Sequence, residues 1–178
     1  SQIMLSGRVA ESSYVDRFED ATEHERGAQV VEAREGLRIH LGGGAYADVL
    51  HPENNVAQLR ETNDASVSMR VVYGETAFML TGDAGTWIEE RLVGEYGDEL
   101  KSDVLKAGHH GSKTSTGDTF LMSVDPSVVV ISAGKDNSYG HPHPEVVENI
   151  YESGATAVST AEEGTITFVS NGLLVERR

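Results

Sequence analysis

Three apolar stretches of this chain each lead into a short polar group bounded by glycine or proline, and this arrangement restricts the fold more than any other feature. The stretches read TAFMLT, DVLKA and SVVVIS, at residues 76–81, 103–107 and 127–132. Helices are predicted after two of them, at residues 85–96 from the apolar spacing and at residues 144–153, where Gly154 ends the helix. Strands that alternate with helices predict an α/β layered fold with a functional site at the strand ends.

The remaining segments predict shorter elements around this framework. Residues 66–73 alternate in polarity, Gly74-Glu75 predicts a turn, and residues 76–81 return, which together indicate a β-hairpin. The elements before this hairpin are a short helix with a loop, two short strands around a turn, one further strand and a polar loop, at residues 12–27, 30–41, 47–50 and 52–64. A short helix at residues 119–124 and two or three strands at the end of the chain complete the prediction.

Composition excludes several kinds of site. The chain has 178 residues, which suggests one domain or most of one, and it contains no cysteine, so any metal would be held by histidine or carboxylate side chains. No apolar run approaches the roughly 20 residues that span a bilayer. The net charge of −15 arises from 29 acidic against 14 basic residues, which indicates a solubilising surface that repels nucleic acid. A phosphate substrate would therefore need positive charge from metal ions or another domain.

The first polar group is Gly82-Asp83, at the end of an apolar strand. A carboxylate there is placed to bind metal, although Gly-Asp is also a common turn. The second group is the pair His109-His110 between two glycines. If the pair is extended, its side chains point in opposite directions, so that only one faces the site and the other either supports a ligand or contacts substrate. Lys113 follows closely as a cation for an anionic oxygen, and ordinary structural histidines are the alternative.

The third polar group is the proline-histidine loop at residues 137–144, which reads NSYGHPHP. Its prolines stiffen the loop, and Pro144 begins a helix, so at least one of His141 and His143 is held rigidly near a helix N-terminus. A plain helix-entry loop is the alternative interpretation. The remaining histidines have no such context and are interpreted as structural; they are His24, His40 and His51.

Four sequence strings occur in a characteristic order, namely LTGD, SDVLKAGHHGSKTS, VVVISAG and NSYGHPHPEV. Over roughly residues 63–164 they resemble the metallo-β-lactamase domain of ComEC-type competence proteins, which internalise DNA. The pieces VLHP and NDASV, at residues 49–52 and 63–67, fit the same pattern. The resemblance implies an α/β fold of the αββα sandwich type, here its C-terminal portion, with one or two divalent metals, zinc or manganese, at the rim of its sheets.

The resemblance also implies roles for individual residues. Asp83 resembles the carboxylate that bridges two metals, and His109 resembles the last histidine ligand, with His110 as the alternative. His141 resembles a family histidine that contacts metal or substrate. Lys113 and His141 would neutralise charge on the leaving oxygen.

Two departures from the wider fold family bear on the metal site. Residues 63–66 (NDAS) stand where a further histidine ligand is usual, as they do in ComEC proteins, so a fully populated first metal site is not expected. The HxHxDH motif, which supplies most ligands, is missing. We therefore expect residues 1–178 to form a single partial domain that begins just past that motif, with metal absent or weakly bound and the fragment inactive.

The function implied by the resemblance is metal-dependent hydrolysis of a phosphodiester in DNA, within an uptake protein that has an upstream membrane channel. This segment would be a soluble domain of that membrane protein, and we expect no direct DNA binding from it alone. Two alternatives stay open, namely a stand-alone phosphoester hydrolase of the same fold and a non-catalytic domain that binds a partner.

The metal hypothesis also predicts a geometry. Ligand atoms that share one ion lie about 2.0–2.2 Å from it, and therefore about 3–3.5 Å from each other. Without metal we allow up to about 6 Å between Asp83 and its histidine. We expect His109 to be that histidine because it directly follows the strand, His110 to point to the other side, and His141 to enter the same cleft.

Overall fold

The computed structural model describes residues 2–8, 12–53, 56, 59 and 61–178, so that parts of the predicted polar loop at 52–64 lie outside the described residues. Near the start of the chain, β1 (Gln2–Leu5) pairs in parallel with β2 (Gln29–Glu32), and helix α1 (Ser13–His24) connects them. The side chain of Ser12 caps this helix by accepting a hydrogen bond from the Val15 N–H. The helix predicted within residues 12–27 is confirmed.

A seven-stranded mixed sheet forms the centre of the structure. Its strands, in both chain order and spatial order, are β3 (Arg38–Gly42), β4 (Ala45–His51), β5 (Ser68–Tyr73), β6 (Thr76–Leu80), β7 (Val104–Lys106), β8 (Val128–Ile131) and β9 (Thr156–Ser159). Strands β3 to β6 pair antiparallel, and β6 to β9 pair in parallel. The predicted hairpin is confirmed as β5–β6, whereas the two strands predicted at residues 30–41 belong to different sheets.

The parallel half of the sheet follows from its helical connections, because a strand needs a crossover of this kind to return in the same direction. Helix α2 (Thr86–Tyr96) connects β6 to β7, α3 (Asp118–Val124) connects β7 to β8, and α4 (Pro144–Glu152) connects β8 to β9. After β9 come a short helix, α5 (Thr160–Glu163), which the sequence did not predict, and the antiparallel pair β10 (Phe168–Ser170) and β11 (Val175–Arg177).

The core lies between one face of the sheet and helices α2 to α4. Met79, Leu105 and Val129 are in register on neighbouring strands, and all three are fully buried. The helices cover them with apolar side chains that belong to the same cluster, among them Ile88, Leu92, Phe120, Leu121, Val146 and Ile150. This packing fixes the parallel strands relative to one another and therefore fixes where their ends lie. Among the described residues, no helix is long and apolar enough to cross a membrane.

Candidate metal centre

The three polar groups noted in the sequence meet at one edge of the sheet. Asp83 follows β6, the pair His109-His110 follows β7, and His141 lies on the loop after β8. These strands are parallel neighbours, so their C-terminal ends point to the same rim. The fold therefore brings together the residues that the sequence singled out.

Asp83 sits in a tight turn that begins as β6 ends. The Thr81 carbonyl accepts a hydrogen bond of 3.2 Å from the Ala84 N–H, and Gly82 has φ 60°. The Asp83 N–H donates to the Ser66 hydroxyl over 3.1 Å. A β-carbon on Gly82 would lie 3.1 Å from the Ser66 β-carbon, so glycine allows this close approach. The carboxylate is held at the rim and is partly exposed.

The His109-His110 pair is not extended, which corrects the expectation that the two side chains point in opposite directions. His109 has φ 44° and ψ 45°, and His110 has φ 59° and ψ 23°, so both are left-handed. The His109 N–H donates to the Gly82 carbonyl over 3.1 Å, which ties this turn to the Asp83 turn. The curled backbone keeps both rings on one rim, with centroids 6.3 Å apart.

His110, rather than His109, is the histidine that approaches Asp83, and this corrects the second part of the expectation. His110 Nε2 lies 3.7 Å from Asp83 Oδ1. His110 Nδ1 lies 2.7 Å from the Ser132 carbonyl oxygen, which can only accept, so Nδ1 carries the proton. With this tautomer, the lone pair of His110 Nε2 faces the carboxylate. The separation is too long for a hydrogen bond and close to the spacing of two ligands on one ion.

Two further imidazole contacts extend this cluster away from Asp83. The rings of His109 and His141 have centroids 5.6 Å apart, and those of His141 and His143 are 5.3 Å apart. Partial burial lowers the pKa of His141, and the repulsion that His109, His143 and His110 would exert in their protonated forms lowers it further. His141 thus enters the same cleft, as expected. We refer to Asp83, His109, His110 and His141 as the candidate metal centre.

Comparison with known proteins gives several sequence relatives, including the following three. The chain is 33% identical over 144 residues to "ComE operon protein 3" of Bacillus subtilis, which covers 81% of this chain and 18% of that protein. It is 42% identical over 108 residues to "Competence protein ComA" of Neisseria gonorrhoeae, which covers 61% and 16% of the two proteins. It is 37% identical over 123 residues to "Recombination protein 2" of Haemophilus influenzae, which covers 69% and 15%. The chain belongs to the ComEC-type competence family.

This ComEC-type chain spans less than a fifth of the length of these relatives. No protein-family model matches it. Among solved structures, it resembles CmlA, a diiron beta-hydroxylase from Streptomyces venezuelae, with a TM-score of 0.50 and 14% identity over 72% of this chain and 33% of that one. That likeness concerns the fold, and the predicted metallo-β-lactamase-like α/β fold is confirmed.

In the ComEC-type chain the NDAS segment supports the metal centre through structural contacts. Ser66 holds the Asp83 backbone, and the Asp64 carboxylate accepts a hydrogen bond of 2.9 Å from Trp87 Nε1. The Asp64 carbonyl accepts a hydrogen bond of 2.8 Å from Nε2 of buried His51. This segment therefore fixes the base of the Asp83 turn, and His51 has the structural contacts expected of it.

Two lysines lie near the rim, and they differ in exposure. Lys113, which the resemblance assigned to substrate charge, is exposed on the loop after Gly111. Lys106, at the end of β7, is mostly buried and donates a hydrogen bond of 2.9 Å to the Ala107 carbonyl. Burial lowers the pKa of Lys106, and the negative charge of Asp83 opposes this shift. Lys106 is thus a cation near the Asp83 carboxylate, and sequence reasoning did not assign it to the site.

A buried glutamate holds the loop that follows the histidine pair. Glu89 of α2 is 1% exposed, and its carboxylate accepts hydrogen bonds from the N–H groups of Thr116 and Gly117, over 2.7 and 3.0 Å. The Thr116 hydroxyl accepts a hydrogen bond of 3.0 Å from the Gly108 N–H, directly before the histidines. Glu89 therefore connects the helix to the left-handed turn of the metal centre.

Glu89 predicts a pH-dependent stability. Burial raises its pKa to about 7, although the two N–H donors act in the opposite direction. Because the folded-state pKa is higher than the unfolded one, its stabilising contribution is complete below about pH 4.5 and is lost as the pH rises through about 7. In Glu89→Gln this contribution to the pH dependence of the unfolding free energy should disappear. Between pH 4.5 and 8.5, the wild type should therefore lose on the order of 3 kcal/mol more unfolding free energy than the variant. Urea unfolding at both pH values measures it.

The control for this experiment is Glu90→Gln, because Glu90 is an exposed neighbour on the same helix. Glu90→Gln should change the wild-type pH slope only slightly, because the charge of Glu90 is the smaller of the two contributions that raise the pKa of Glu89. An unchanged slope in Glu89→Gln would mean that Glu89 is ionised in the folded chain throughout this range.

The left-handed histidines predict a second stability effect. For a residue with a β-carbon, this conformation costs roughly 1–2 kcal/mol more than for glycine. The free energy of unfolding of His110→Gly should therefore be about 1 kcal/mol higher than that of His110→Ala, although both variants lose the same ring. At His143, where φ is −68°, the order should reverse or vanish. Equal stabilities of the two His110 variants would show that the turn relaxes once the ring is removed.

Among the described residues, a cluster of three glutamates also has the spacing of possible metal ligands, but an arginine side chain lies against all three. Carboxylate oxygens of Glu35, Glu53 and Glu95 come within 4.8 Å of one another. Nη1 of Arg91 lies 3.0, 3.8 and 2.6 Å from these three side chains, respectively. The guanidinium supplies the positive charge that a metal would otherwise bring. We therefore assign this cluster a structural role.

Proposed function

We propose that this chain supplies part of a metal-dependent hydrolase centre that acts on phosphodiester bonds of DNA in a ComEC-type protein. The observation that carries the proposal is the 3.7 Å gap between Asp83 Oδ1 and His110 Nε2. It combines with the Ser132 carbonyl, which fixes the His110 tautomer. A carboxylate faced by the free nitrogen of an oriented imidazole is an arrangement suited to a divalent ion.

The donor set fits a divalent metal on chemical grounds. Carboxylate oxygen and neutral imidazole nitrogen are ligands that zinc and manganese accept. A metal-binding histidine commonly donates its other ring N–H to a carbonyl or carboxylate, as His110 does to Ser132. The rings of His109 and His110 have centroids 6.3 Å apart and those of His109 and His141 5.6 Å apart, so His109 and His141 would have to move closer to share an ion with Asp83 and His110. The diiron description of CmlA supports the view that this fold can hold two ions.

The residues of the centre have complementary tasks in the proposed reaction. Bound ions would supply an activated water and charge compensation for a phosphodiester oxygen. Asp83 and His110 would hold the ions, and His141 would face the substrate from its proline-stiffened loop. Lys113 is exposed and free to reach a phosphate oxygen, whereas Lys106 has its contacts inside the rim.

The names of the relatives support DNA as the substrate, since they describe competence and recombination proteins. The net charge of −15 opposes DNA binding by this chain alone. The chain also lacks the HxHxDH motif and hence several ligands of a complete site. We therefore propose weak metal binding, negligible DNA affinity at physiological salt, and no appreciable hydrolysis by the 178-residue chain by itself.

The test compares this chain with the full-length protein. Calorimetry with Zn²⁺ or Mn²⁺ should detect weak binding to the chain that His110→Ala removes. A labelled single-stranded oligonucleotide should be cleaved by the full-length protein with metal and not after chelation. Rapid metal-dependent cleavage by the 178-residue chain would contradict the incomplete ligand set. Cleavage of small phosphoesters but not of DNA would favour the stand-alone hydrolase alternative, and absence of all hydrolysis would favour the partner-binding one.

A further inference from the structure

A hollow with a volume of about 390 Å³ opens beside the metal centre. Its walls include His110 and His141 of the centre, the ring of Tyr139, and residues 132–134 after β8. The volume lies towards the lower end of the roughly 300–1,000 Å³ that small-molecule sites occupy. His110 and His141 belong to both the metal centre and the hollow. A ligand that spans the two would therefore have one chemical group at the metal centre and the adjoining group in the hollow.

Tyr139 gives the hollow an exposed aromatic wall. The side chain is 77% exposed, and its ring stacks on His141 with a centroid distance of 5.8 Å and an interplanar angle of 26°. The imidazole of His141 thus covers one face of the Tyr139 ring, while the rest of the tyrosine side chain remains accessible. Flat rings of this kind are the surface on which unpaired bases stack in single-strand binding proteins.

Asn137 makes the loop that carries Tyr139 rigid. Its amide nitrogen donates to the carbonyls of Gly134 and His141, over 2.8 and 2.6 Å. Its amide oxygen accepts from the N–H groups of Tyr139 and His141, over 3.2 and 3.0 Å. The side chain therefore uses both donors and both acceptor positions within the loop. It positions Tyr139 and has no free group to read the edge of a base.

The charge around the hollow also restricts its ligand. None of the described residues that line it carries a carboxylate, although the chain as a whole has 29 acidic residues. A strand that carries a phosphate on each nucleotide would meet strong repulsion over most of this surface. At the hollow it would meet imidazoles, small side chains and an aromatic ring.

We propose that this hollow binds one nucleobase of single-stranded DNA, stacked on Tyr139, while the adjoining phosphate faces the metal centre. The choice of DNA as ligand rests on the proposed function. The strand must be unpaired, because a paired base is stacked within its duplex and offers no free face. Asn137 adds no selectivity among the bases, because its side chain has no free hydrogen-bonding group.

The experiment measures base binding to the metal-free chain by nuclear magnetic resonance, so it depends on neither hydrolysis nor metal. Thymidine and thymidine 5′-monophosphate at millimolar concentration should shift the amide signals of Ala133, Gly134 and Tyr139 in a saturable way. 2-Deoxyribose 5-phosphate should leave them unchanged. Stacking on an aromatic side chain contributes roughly 1–3 kcal/mol per base, so Tyr139→Ala should weaken thymidine binding at least about fivefold.

Tyr139→Phe should bind thymidine as the wild type does, and Tyr14→Ala, which removes a ring of similar exposure on α1, is the matched control. Equal shifts with the sugar phosphate, an unaffected Tyr139→Ala variant, or shifts with phosphocholine but not thymidine would each overturn the proposal. Thymidine binding without metal binding at Asp83 and His110 would support the hollow and reject the proposed hydrolase centre. Metal-dependent cleavage without thymidine binding would do the reverse.

Discussion

Asp83→Asn is expected to remove metal binding from the centre while leaving the fold intact. The amide keeps the size of the side chain, but it loses the negative charge that divalent ions need. The turn should persist, because the Asp83 N–H still donates to Ser66 and the side chain is partly exposed. Calorimetry with Zn²⁺ or Mn²⁺ on the chain should show no binding, and cleavage by the full-length protein should fall below detection.

Asp64→Asn is the matched control for this prediction. Asp64 is a carboxylate close in space to the same turn, and its hydrogen bond from Trp87 can be made equally well by an amide oxygen. That variant should bind metal as the wild type does. If Asp83→Asn kept activity within about tenfold, a barrier change of only about 1.4 kcal/mol, Asp83 would be a turn residue and the metal hypothesis would fail.

Much of the framework could be predicted because local patterns and tertiary packing agree. Alternation in residues 66–81 specified the β5–β6 hairpin, and helical spacing specified α2. Parallel neighbouring strands then necessarily bring their C-terminal ends to one rim. The meeting of Asp83 with the histidine pair could therefore be inferred from the sequence alone.

The choice between His109 and His110 could not be predicted in the same way. Two successive non-glycine residues in the left-handed conformation run against local preference, so an extended pair was the natural expectation. The structure maintains the strained turn through contacts from distant parts of the chain. They are the Gly82 carbonyl and the Ser132 carbonyl. Such contacts have no signature in the local sequence.

Glu89 and Lys106 show two different limits of the sequence prediction. Glu89 lies on the same helical stripe as Ile88 and Leu92, at spacings that place it in the core. The spacing thus predicted its burial, but a glutamate is normally expected at the surface. Lys106 ends a three-residue strand and could face either side of the sheet. Its interaction with Asp83 follows from the β6–β7 register, which pairs Leu80 with Lys106.

Gly111→Ala should have the second large effect, because the two histidine loops are in direct contact at this residue. Gly111 has φ 82°, and a β-carbon there would lie 2.8 Å from the Pro142 β-carbon and 3.2 Å from its α-carbon. The Gly111 carbonyl also accepts a hydrogen bond of 3.0 Å from the His143 N–H. Alanine must therefore adopt an unfavourable conformation and also push the His141 loop away from His109 and His110.

We expect Gly111→Ala to lower the unfolding free energy by about 2–4 kcal/mol, the sum of left-handed strain and overpacking. Metal affinity should fall at least about tenfold, because His141 no longer lies against His109. Gly140→Ala separates the two causes, since Gly140 has φ 72° but nothing within 4 Å of an added β-carbon. That control should cost only about 1 kcal/mol and leave metal binding unchanged. If both variants behaved alike, backbone conformation alone would explain the glycine, and contact between the loops would not be needed to assemble the centre.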